Sequence, residues 1–352
     1  MRYIGNKTKL VDWIYEIGLK SGVEKEMSIF DCFAGTGIVG EYFKSKGHKV
    51  FSSDLMHYSY VLQKARIEIS KPLDFKYFHQ TKRTNNEEHD ILNVISEYFD
   101  SLSLTDQGFI FNNYCPTKSS LSGVKRMYFT DIIGQKLDSI RIEIERLYTL
   151  SYLTEDEYYY LIACLINTSS FYSNTAGVYG AFHKSWDPRA LKPFVMRFLP
   201  IVNSSHQNKA YLGDSVALMP KVKCDVLYMD PPYNSRQYAP NYHVLETISR
   251  YDNPDIKGVS GMRDYSNQKS DFSIKKNVSK AMEDIVSLTN AKIILLSYND
   301  EGLLSGEETL DILSNYGQVK VEYKQHLRYK SKTTDQSQRK NVKEKLFILI
   351  KD

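Results

Sequence analysis

The feature that most constrains the fold of this chain is an alternation of short apolar runs with longer segments of helical spacing, in two separate blocks. In the first block, strand-like runs at 27–33 and 49–53 alternate with helical patterns at 38–46 and 58–69. The second block contains further strand-like runs at 210–212, 225–229, 292–297, 318–325 and 345–350. Strands that alternate with helices of about ten residues or more are typical of βαβ units and a parallel sheet. A long polar loop without a helical pattern joins the last two runs, so we expect an antiparallel hairpin there.

The segment between the two blocks, residues 70–206, has a different pattern. Apolar residues recur there at helical spacing in two places. They are Ile133, Leu137, Ile140, Ile144 and Leu147 in the first place, and Tyr158, Leu161, Ile162, Leu165 and Ile166 in the second. We therefore expect residues 1–69 and 207–352 to build one α/β domain, and residues 70–206 to form a mostly helical insertion.

The tetrapeptide Asp230-Pro231-Pro232-Tyr233 follows the apolar run at 225–229, which places it at the carboxyl end of a strand. Open α/β sheets bind their ligands at that edge. The two prolines fix φ and have no N–H group, so they form a stiff turn with exposed carbonyl oxygens. A carboxylate, a rigid carbonyl and an aromatic ring together suit a flat heterocycle that carries an exocyclic amino group. The alternative is that the prolines only end the strand and that Asp230 caps the next helix.

A second motif, DCFAGTG at residues 31–37, leads from the first predicted strand into a helix. Gly35 and Gly37 permit backbone conformations and a close ligand approach that a Cβ atom would obstruct. Asp54 ends the next strand, where a carboxylate can accept hydrogen bonds from ribose hydroxyls. Because Gly35, Gly37 and Gly40 also satisfy G-x-G-x-x-G, a nicotinamide dehydrogenase is an alternative. The position of Asp31, suited to a ligand amine, and the later tetrapeptide favour S-adenosyl-L-methionine over a dinucleotide.

The composition excludes several classes of protein. The four cysteines are scattered and form no C-x-x-C pair, and no histidines are paired in the sequence. This pattern argues against a zinc site or a disulfide framework, and we predict no metal site. No apolar signal core opens the chain and no run approaches ~18 apolar residues, so we expect a cytoplasmic protein that does not bind a membrane. The net charge is only +4, so a polyanion would have to bind a local patch. One candidate is the stretch 320–345, with nine cations and three acids.

In these motifs and in their order, the chain resembles the adenine-specific DNA methyltransferases of the Dam-like alpha class, and more closely the FokI-like methylases of type IIS restriction–modification systems. The family's opening motif is matched by residues 2–7, its glycine loop by residues 31–37 and its catalytic motif by residues 230–233. The resemblance covers nearly the whole chain. It implies a seven-stranded, mostly parallel, Rossmann-like methyltransferase sheet with an antiparallel terminal hairpin, and target recognition by the helical insertion. The cofactor it implies is S-adenosyl-L-methionine, bound by Tyr3, Lys7, Asp31, Phe33, Ala34, Gly35, Thr36, Gly37, Asp54 and Asp214.

The function that the resemblance implies is transfer of a methyl group to N6 of an adenine flipped out of duplex DNA, which protects host DNA from a partner restriction endonuclease. Asp230, Pro231, Pro232 and Tyr233 would be the catalytic residues. Related enzymes that act on the cytosine 4-amino group usually carry serine at the position of Asp230, which favours adenine here. Protein-amide methyltransferases typically have asparagine at that position. An RNA or protein methyltransferase, and a DNA-binding regulator without catalysis, are further alternatives.

Candidate DNA contacts lie in two basic stretches, one with aromatic residues before the second block and one directly after the tetrapeptide. They are Lys184, Arg189, Lys192 and Arg197 in the first, and Arg263 and Lys275 in the second. Charged residues of a polar loop are often only solvated, which is the alternative for each of them.

Overall fold

A computed structural model of the chain describes residue 1 and residues 3–81, 90–299, 302–327 and 341–352. The chain forms two compact units, each assembled from three separate stretches. The sheet unit comprises Gly5–Ser70, Val202–Ala239 and Ser266–Asp352. The helical unit comprises Met1–Ile4, Lys71–Ile201 and Pro240–Tyr265.

The strands of the described residues fall into one large sheet and one short pair. In chain order they are β1 Ile29–Asp31, β2 Val50–Asp54, β3 Lys209–Leu212, β4 Val226–Met229, β5 Ile256–Lys257, β6 Met262–Arg263, β7 Ile293–Asn299, β8 Gly317–Leu327 and β9 Asn341–Lys351. The sheet unit contains a seven-stranded sheet in the order β3-β2-β1-β4-β7-β9-β8, and the helical unit contains the antiparallel pair β5-β6. The strands from β3 to β7 in that order are parallel, while β9 runs antiparallel to both of its neighbours. The predicted sheet and its terminal hairpin are therefore confirmed.

Helices are found in both units. The α-helices are α1 Val11–Lys20, α2 Ile38–Ser45, α3 His57–Gln63, α4 Lys76–Thr81, α5 Ile91–Ser101, α6 Phe109–Tyr114, α7 Pro116–Ser120, α8 Asp131–Thr149, α9 Glu155–Tyr172, α10 Ser215–Leu218, α11 Tyr238–Arg250, α12 Val278–Leu288 and α13 Gly306–Ser314. A π-helix follows α3 at Lys64–Glu68, and a 3-10 helix lies at Asp271–Ser273. The two helical patterns of the predicted insertion correspond to α8 and α9.

The central strands are buried on both faces because helices cover both sides of the sheet. Every residue of β1, β4 and β7 is buried, as expected for parallel strands that read as continuous apolar runs. Successive side chains point to opposite faces of a strand. Ile29, Tyr228 and Leu295 accordingly pack in a cluster with residues of α1 and α2. Phe30 and Leu227 pack in a second cluster, with residues of α12 and α13.

The segment 58–69, predicted as one α-helix, does not keep a single type of helix. It forms α3 and then the π-helix, in which the Ile69 amide donates to the Lys64 carbonyl over 3.0 Å. The ammonium group of Lys44, a buried residue of α2, donates to the carbonyls of Arg66 (3.1 Å) and Ile69. The wider turn of a π-helix leaves some backbone carbonyls without a donor in their own helix. Here Lys44 of the neighbouring α2 supplies the donor.

The helical unit is organised around α8 and α9, whose first turns are capped by Thr130 and Thr154. Asp138 on α8 is fully buried and accepts hydrogen bonds from the amides of Ile110 (3.0 Å) and Phe111 (2.7 Å), which start α6. The Tyr251 hydroxyl donates to the same carboxylate over 2.6 Å. Burial raises the pKa of Asp138 to about 6, while the hydrogen bonds lower it. This carboxylate is therefore accounted for by the fold and needs no ligand.

Candidate active site

The carboxyl ends of parallel strands lie at one edge of a sheet, and in the sheet unit that edge carries three aspartates. Asp31 ends β1 and Asp54 ends β2, while Asp230 directly follows β4. β1 lies between β2 and β4 in the sheet, with Asp31 opposite Tyr228 in the register. Two of the predicted motifs therefore follow adjacent strands.

The loop between β1 and α2 has the conformation that its glycines predict. Gly35 and Gly37 have φ values of 52° and 77°, in the left-handed region that favours glycine. Gly37 is the residue at the N-terminal cap of α2, and its amide donates to the Ala34 carbonyl over 2.7 Å. The Ala34 amide in turn donates to Ser53 of β2 over 3.0 Å. These backbone bonds fix the loop against the sheet, with Thr36 buried within it.

Asp54 has a structural role in this loop that its position in the sequence did not reveal. One of its oxygens accepts from the Gly35 amide and the other from the Met56 amide, each over 2.9 Å. The Ser59 hydroxyl donates to the Gly35 carbonyl from α3. The Asp54 carboxylate thus supports the glycine loop, and the residue is half-buried, so part of it stays exposed.

Asp31 is a buried carboxylate without a side-chain partner. It is 1% exposed, and neither of its oxygens lies in good hydrogen-bond geometry with another residue that the structure describes. Burial raises the pKa of Asp31 to about 8, and the negative charges of Asp230 and Asp54 contribute in the same direction, whereas the nearby backbone amides of Gly40 and Phe33 lower it. Buried polar groups in proteins are nearly always paired. A cationic, hydrogen-bond-donating ligand group would supply the missing partner.

Asp230 is held in an ion-paired cluster with Lys7 and Glu344. The Lys7 Nζ lies 3.0 Å from Asp230 Oδ1 and 2.8 Å from Glu344 Oε1. Burial raises the pKa of Asp230 to about 6, with Lys7 lowering it and Glu344 raising it. Burial alone would lower the pKa of Lys7, but the two carboxylates outweigh it and the pKa lies well above its usual value. At neutral pH the cluster therefore contains a protonated lysine and a mostly ionised Asp230.

The rest of the tetrapeptide is fixed as its prolines predict. Pro231 is buried, and the Tyr233 carbonyl accepts from the Leu303 amide over 2.7 Å. Pro232 and the Tyr233 ring are half-buried, so part of the ring surface remains accessible. Burial and the charge of Asp230 raise the pKa of Tyr233. The tetrapeptide is thus a rigid turn with a partly accessible ring at the edge of the sheet.

Comparison with known proteins identifies the family. The sequence profile of the D12 class N6 adenine-specific DNA methyltransferases matches residues 3–312. The chain belongs to this family. It is 38% identical to the type II methyltransferase M.FokI of Planomicrobium okeanokoites, over the whole chain and 53% of that protein. It is 37% identical to the modification methylase StsI of Streptococcus sanguinis, over 99% of the chain and 52% of that protein.

A third relative matches from end to end. The type II methyltransferase M.NlaIII of Neisseria lactamica is 34% identical over the whole chain and 99% of its own length. The chain thus spans about half the length of M.FokI and StsI, and nearly the full length of M.NlaIII. The predicted relationship to methylases of restriction–modification systems is confirmed.

Three of the cofactor residues predicted for this D12-family chain have contacts within the protein. Tyr3 belongs to the helical unit, where its ring stacks on Tyr242 with centroids 4.5 Å apart, and the Ile4 amide donates to the Tyr242 hydroxyl. Asp214 is exposed and caps α10 by accepting from the Ala217 amide. Phe33 of the glycine loop packs edge-on against Phe272, with centroids 4.9 Å apart.

Most of the predicted DNA contacts already have local partners. Arg189 forms a two-pronged pair with Asp187, and Arg263 forms one with Asp252. Arg197 lies over the Phe171 ring at 4.4 Å. In the sheet unit, the Lys275 ammonium donates to the Leu303 carbonyl.

Lys184 and Lys192 differ from these residues, because both are exposed and form no ion pair with another described residue. Of the predicted basic stretch 320–345, residues 328–340 lie outside the described residues. Within the described ranges, no cluster of three or more metal-binding side chains occurs, and none of the described helices could span a membrane.

Proposed function

We propose that this protein transfers the methyl group of S-adenosyl-L-methionine to the 6-amino group of adenine in a specific duplex DNA sequence. Support comes from its membership of the D12 family and from the Asp230 tetrapeptide, which follows the strand next to the glycine loop. As in a restriction–modification system, the methylation protects host DNA in the cytoplasm from a cognate endonuclease. M.FokI, StsI and M.NlaIII, three relatives with similar sequences, are named as type II methyltransferases or modification methylases.

The residues at the edge of the sheet fit the proposed cofactor. Asp31 has two buried oxygens without a partner, which suit the cofactor's ammonium group. The left-handed Gly35 and Gly37 leave room for close approach, and the accessible part of Asp54 suits the ribose hydroxyls. When bound, S-adenosyl-L-methionine supplies an electrophilic methyl group on a sulfonium. The other proposed contacts are Tyr3, Lys7, Phe33, Ala34, Thr36 and Asp214.

The proposed catalytic role of the tetrapeptide is to orient a poor nucleophile. The lone pair of the adenine 6-amino group is delocalised into the ring. If its two N–H groups donate to the Asp230 carboxylate and the Pro231 carbonyl, the nitrogen is held with its lone pair aimed at the methyl group. Positioning and electrostatics then account for most of the acceleration, and Lys7 favours the ionised, accepting form of Asp230.

We further propose that the target base leaves the helix and stacks on Tyr233. An adenine inside a duplex cannot reach a catalytic carboxylate, and flipping it out costs a few kcal/mol. Stacking on an aromatic ring contributes about 1–3 kcal/mol per base, so the half-buried ring can offset much of that cost. Pro232 stiffens the turn that presents the ring.

Target recognition is proposed for the helical segment within residues 70–206. Among the candidate contacts, the exposed Lys184 and Lys192 are the best placed for phosphates, since neither is ion-paired within the described chain. Arg189 and Arg263 would have to leave Asp187 and Asp252 before binding DNA through their guanidinium groups. Arg197 and Lys275 are further candidates, and each would exchange a local contact for a phosphate.

The observation that carries the proposal is the ion-paired Asp230 at the end of β4, in a chain of the D12 family. The test is expression in a host without DNA methylation, followed by sequencing of its genomic DNA for modified bases. We expect N6-methyladenine at every copy of one short sequence and none in the host with an empty vector. Labelled methyl groups found in RNA or protein instead, or binding of NAD in place of S-adenosyl-L-methionine, would support an alternative class.

A further inference from the structure

The third member of the ion-paired cluster, Glu344, belongs to none of the motifs that suggested the function. It lies on β9, opposite Asn299 of β7 and Lys324 of β8 in the register of the sheet. Its side chain is buried, with 4% of the residue exposed. An ionised carboxylate is costly to bury without a partner, and its 2.8 Å contact with the Lys7 ammonium supplies one.

We propose that Glu344 is a positioning residue for methyl transfer, which holds the Lys7 ammonium against the Asp230 carboxylate. The inference rests on the proposed function, because it assigns a role within the same site. Glu344 itself touches neither substrate nor cofactor in this proposal. It acts through Lys7, and through Lys7 it fixes the orientation of the carboxylate that accepts the adenine amino group.

The electrostatics of the cluster show which partner Glu344 serves. Its negative charge raises the pKa of Lys7 and so, after that of Asp230, opposes the lowering by burial. The same charge raises the pKa of Asp230, which opposes ionisation of the catalytic carboxylate. Glu344 therefore opposes the ionised form of Asp230 and favours the protonated form of Lys7.

Geometry leads to the same conclusion. A lysine side chain is long and flexible, and its ammonium group has three donors. The backbone of Lys7 is fixed, because its carbonyl accepts from the Leu10 and Val11 amides at the start of α1. With its backbone fixed and its ammonium between two carboxylates, Lys7 is restrained at both ends. Without Glu344, Asp230 would be the one remaining ion-pair partner of the ammonium among the described residues, and the pair would be free to move together.

Other titratable groups lie near the Asp230 carboxylate, and Glu344→Gln does not change these residues. The buried Tyr228 and the half-buried Tyr233 both sense the charge of Asp230, and so does Asp31 on the neighbouring strand. A change at Glu344 that moves the titration of Asp230 therefore reports on the cluster of Lys7, Asp230 and Glu344.

The test compares Glu344→Gln with Glu322→Gln, a matched control that removes an exposed carboxylate from the neighbouring strand β8. Single-turnover methyl transfer to DNA is measured against pH at saturating cofactor, together with cofactor Kd and Tm. We expect the maximal rate of Glu344→Gln to fall about tenfold to a hundredfold, as for other small displacements of catalytic groups, with little change in cofactor Kd. The midpoint of its acidic limb should move to lower pH, because the charge that raised the pKa of Asp230 is gone. The control should match the wild type in rate and midpoint.

A purely structural role gives a different result. It would lower Tm and the active fraction but leave the maximal single-turnover rate of the folded enzyme equal to that of the wild type, and that outcome overturns the inference. In a Lys7→Met background, Glu344→Gln should cause no further loss of rate if it acts through Lys7, whereas losses that multiply would show that it acts independently.

Titration of the Asp230 carboxyl by carbon-13 NMR separates failure of this inference from failure of the proposed function, since it needs no turnover. If the wild-type protein methylates no DNA, the proposed function is wrong. The Asp230 pKa in Glu344→Gln should nevertheless lie below that of the wild type. An Asp230 pKa that does not respond to Glu344→Gln would refute the inference even in an active enzyme.

Discussion

Replacing Lys7 with methionine should suppress methyl transfer by protonating Asp230. Methionine keeps the length and apolar character of the side chain and removes the ammonium that lies 3.0 Å from Asp230 Oδ1. Asp31 is a carboxylate at the same edge of the sheet that forms no ion pair with another described residue. Its pKa of about 8 is raised by burial and by the charges of Asp230 and Asp54. Asp230, with its ammonium, has a pKa of about 6.

The expected magnitude follows from these two values. At pH 7, a carboxyl with a pKa near 6 is about 90% ionised, whereas one with a pKa near 8 is about 10% ionised. Loss of the ammonium should therefore lower the rate at pH 7 by about ninefold through protonation alone, with a further loss from the displaced carboxylate. The sign is fixed, because Lys7 lowers the pKa of Asp230 and its removal must raise it.

The assay is single-turnover methyl transfer at pH values from 5.5 to about 9, within the range where carboxyl pKa values raised by burial are found. The acidic limb of Lys7→Met should move to higher pH, and part of the lost rate should return under alkaline conditions. Lys9→Met is the matched control, since Lys9 is an exposed residue of the same opening segment. A Lys7→Met enzyme whose rate falls equally at every pH, with its midpoint unchanged, would refute the reasoning.

Substitutions at three further residues test the rest of the site. Asp31→Asn should weaken cofactor binding but raise Tm at pH 8. The pKa of Asp31 in the folded protein, about 8, lies above its value in the unfolded chain. The wild type therefore loses up to a few kcal/mol of stability as the pH rises from about 4 to 8, and the asparagine variant does not. Thermal unfolding at pH 5 and pH 8 checks this, and an equal or larger gain at pH 5 would contradict it. Asp54→Ala should weaken cofactor binding by about tenfold to a hundredfold, the effect of losing a charged hydrogen-bond acceptor, as measured by calorimetry; an unchanged Kd would remove Asp54 from the cofactor site. Tyr233→Ala should slow single-turnover transfer by about tenfold or more through lost stacking, while Tyr233→Phe stays close to the wild type; equal losses in both would implicate the hydroxyl instead.

The sheet could be predicted from the sequence because its central strands are signalled locally. Ile29–Asp31 and Val226–Met229 lie in short apolar runs followed by glycine or proline turns, and these signals depend on neighbouring residues only. The π-helix at Lys64–Glu68 could not be predicted in this way. It coincides with hydrogen bonds from Lys44, a residue about twenty positions earlier on another helix.

The site shows the same division between local and distant information. The glycine loop and the tetrapeptide were visible as motifs, whereas the pairing of Lys7 with Glu344 joins residues 337 positions apart and has no local signal. The capping role of Asp214 did have one, since an aspartate directly before a short helix is a common N-terminal cap. The same holds for Arg189, whose partner Asp187 is two residues away. The cap at Asp214 and the pair of Arg189 with Asp187 could both be predicted if local hydrogen bonds were considered before ligand contacts.

The central claim is that Asp230 accepts the amino group of adenine during methyl transfer to DNA, and one measurement tests it most directly. Wild-type protein and Asp230→Ala are each incubated with duplex DNA and methyl-labelled S-adenosyl-L-methionine, the DNA is digested to nucleosides, and the labelled nucleoside is identified by mass spectrometry. Cofactor Kd is measured on the same samples. We predict labelled N6-methyldeoxyadenosine from the wild type and none from Asp230→Ala, with similar cofactor affinity in both. Label in another nucleoside, near-wild-type transfer by Asp230→Ala, or a loss confined to cofactor affinity would contradict the claim.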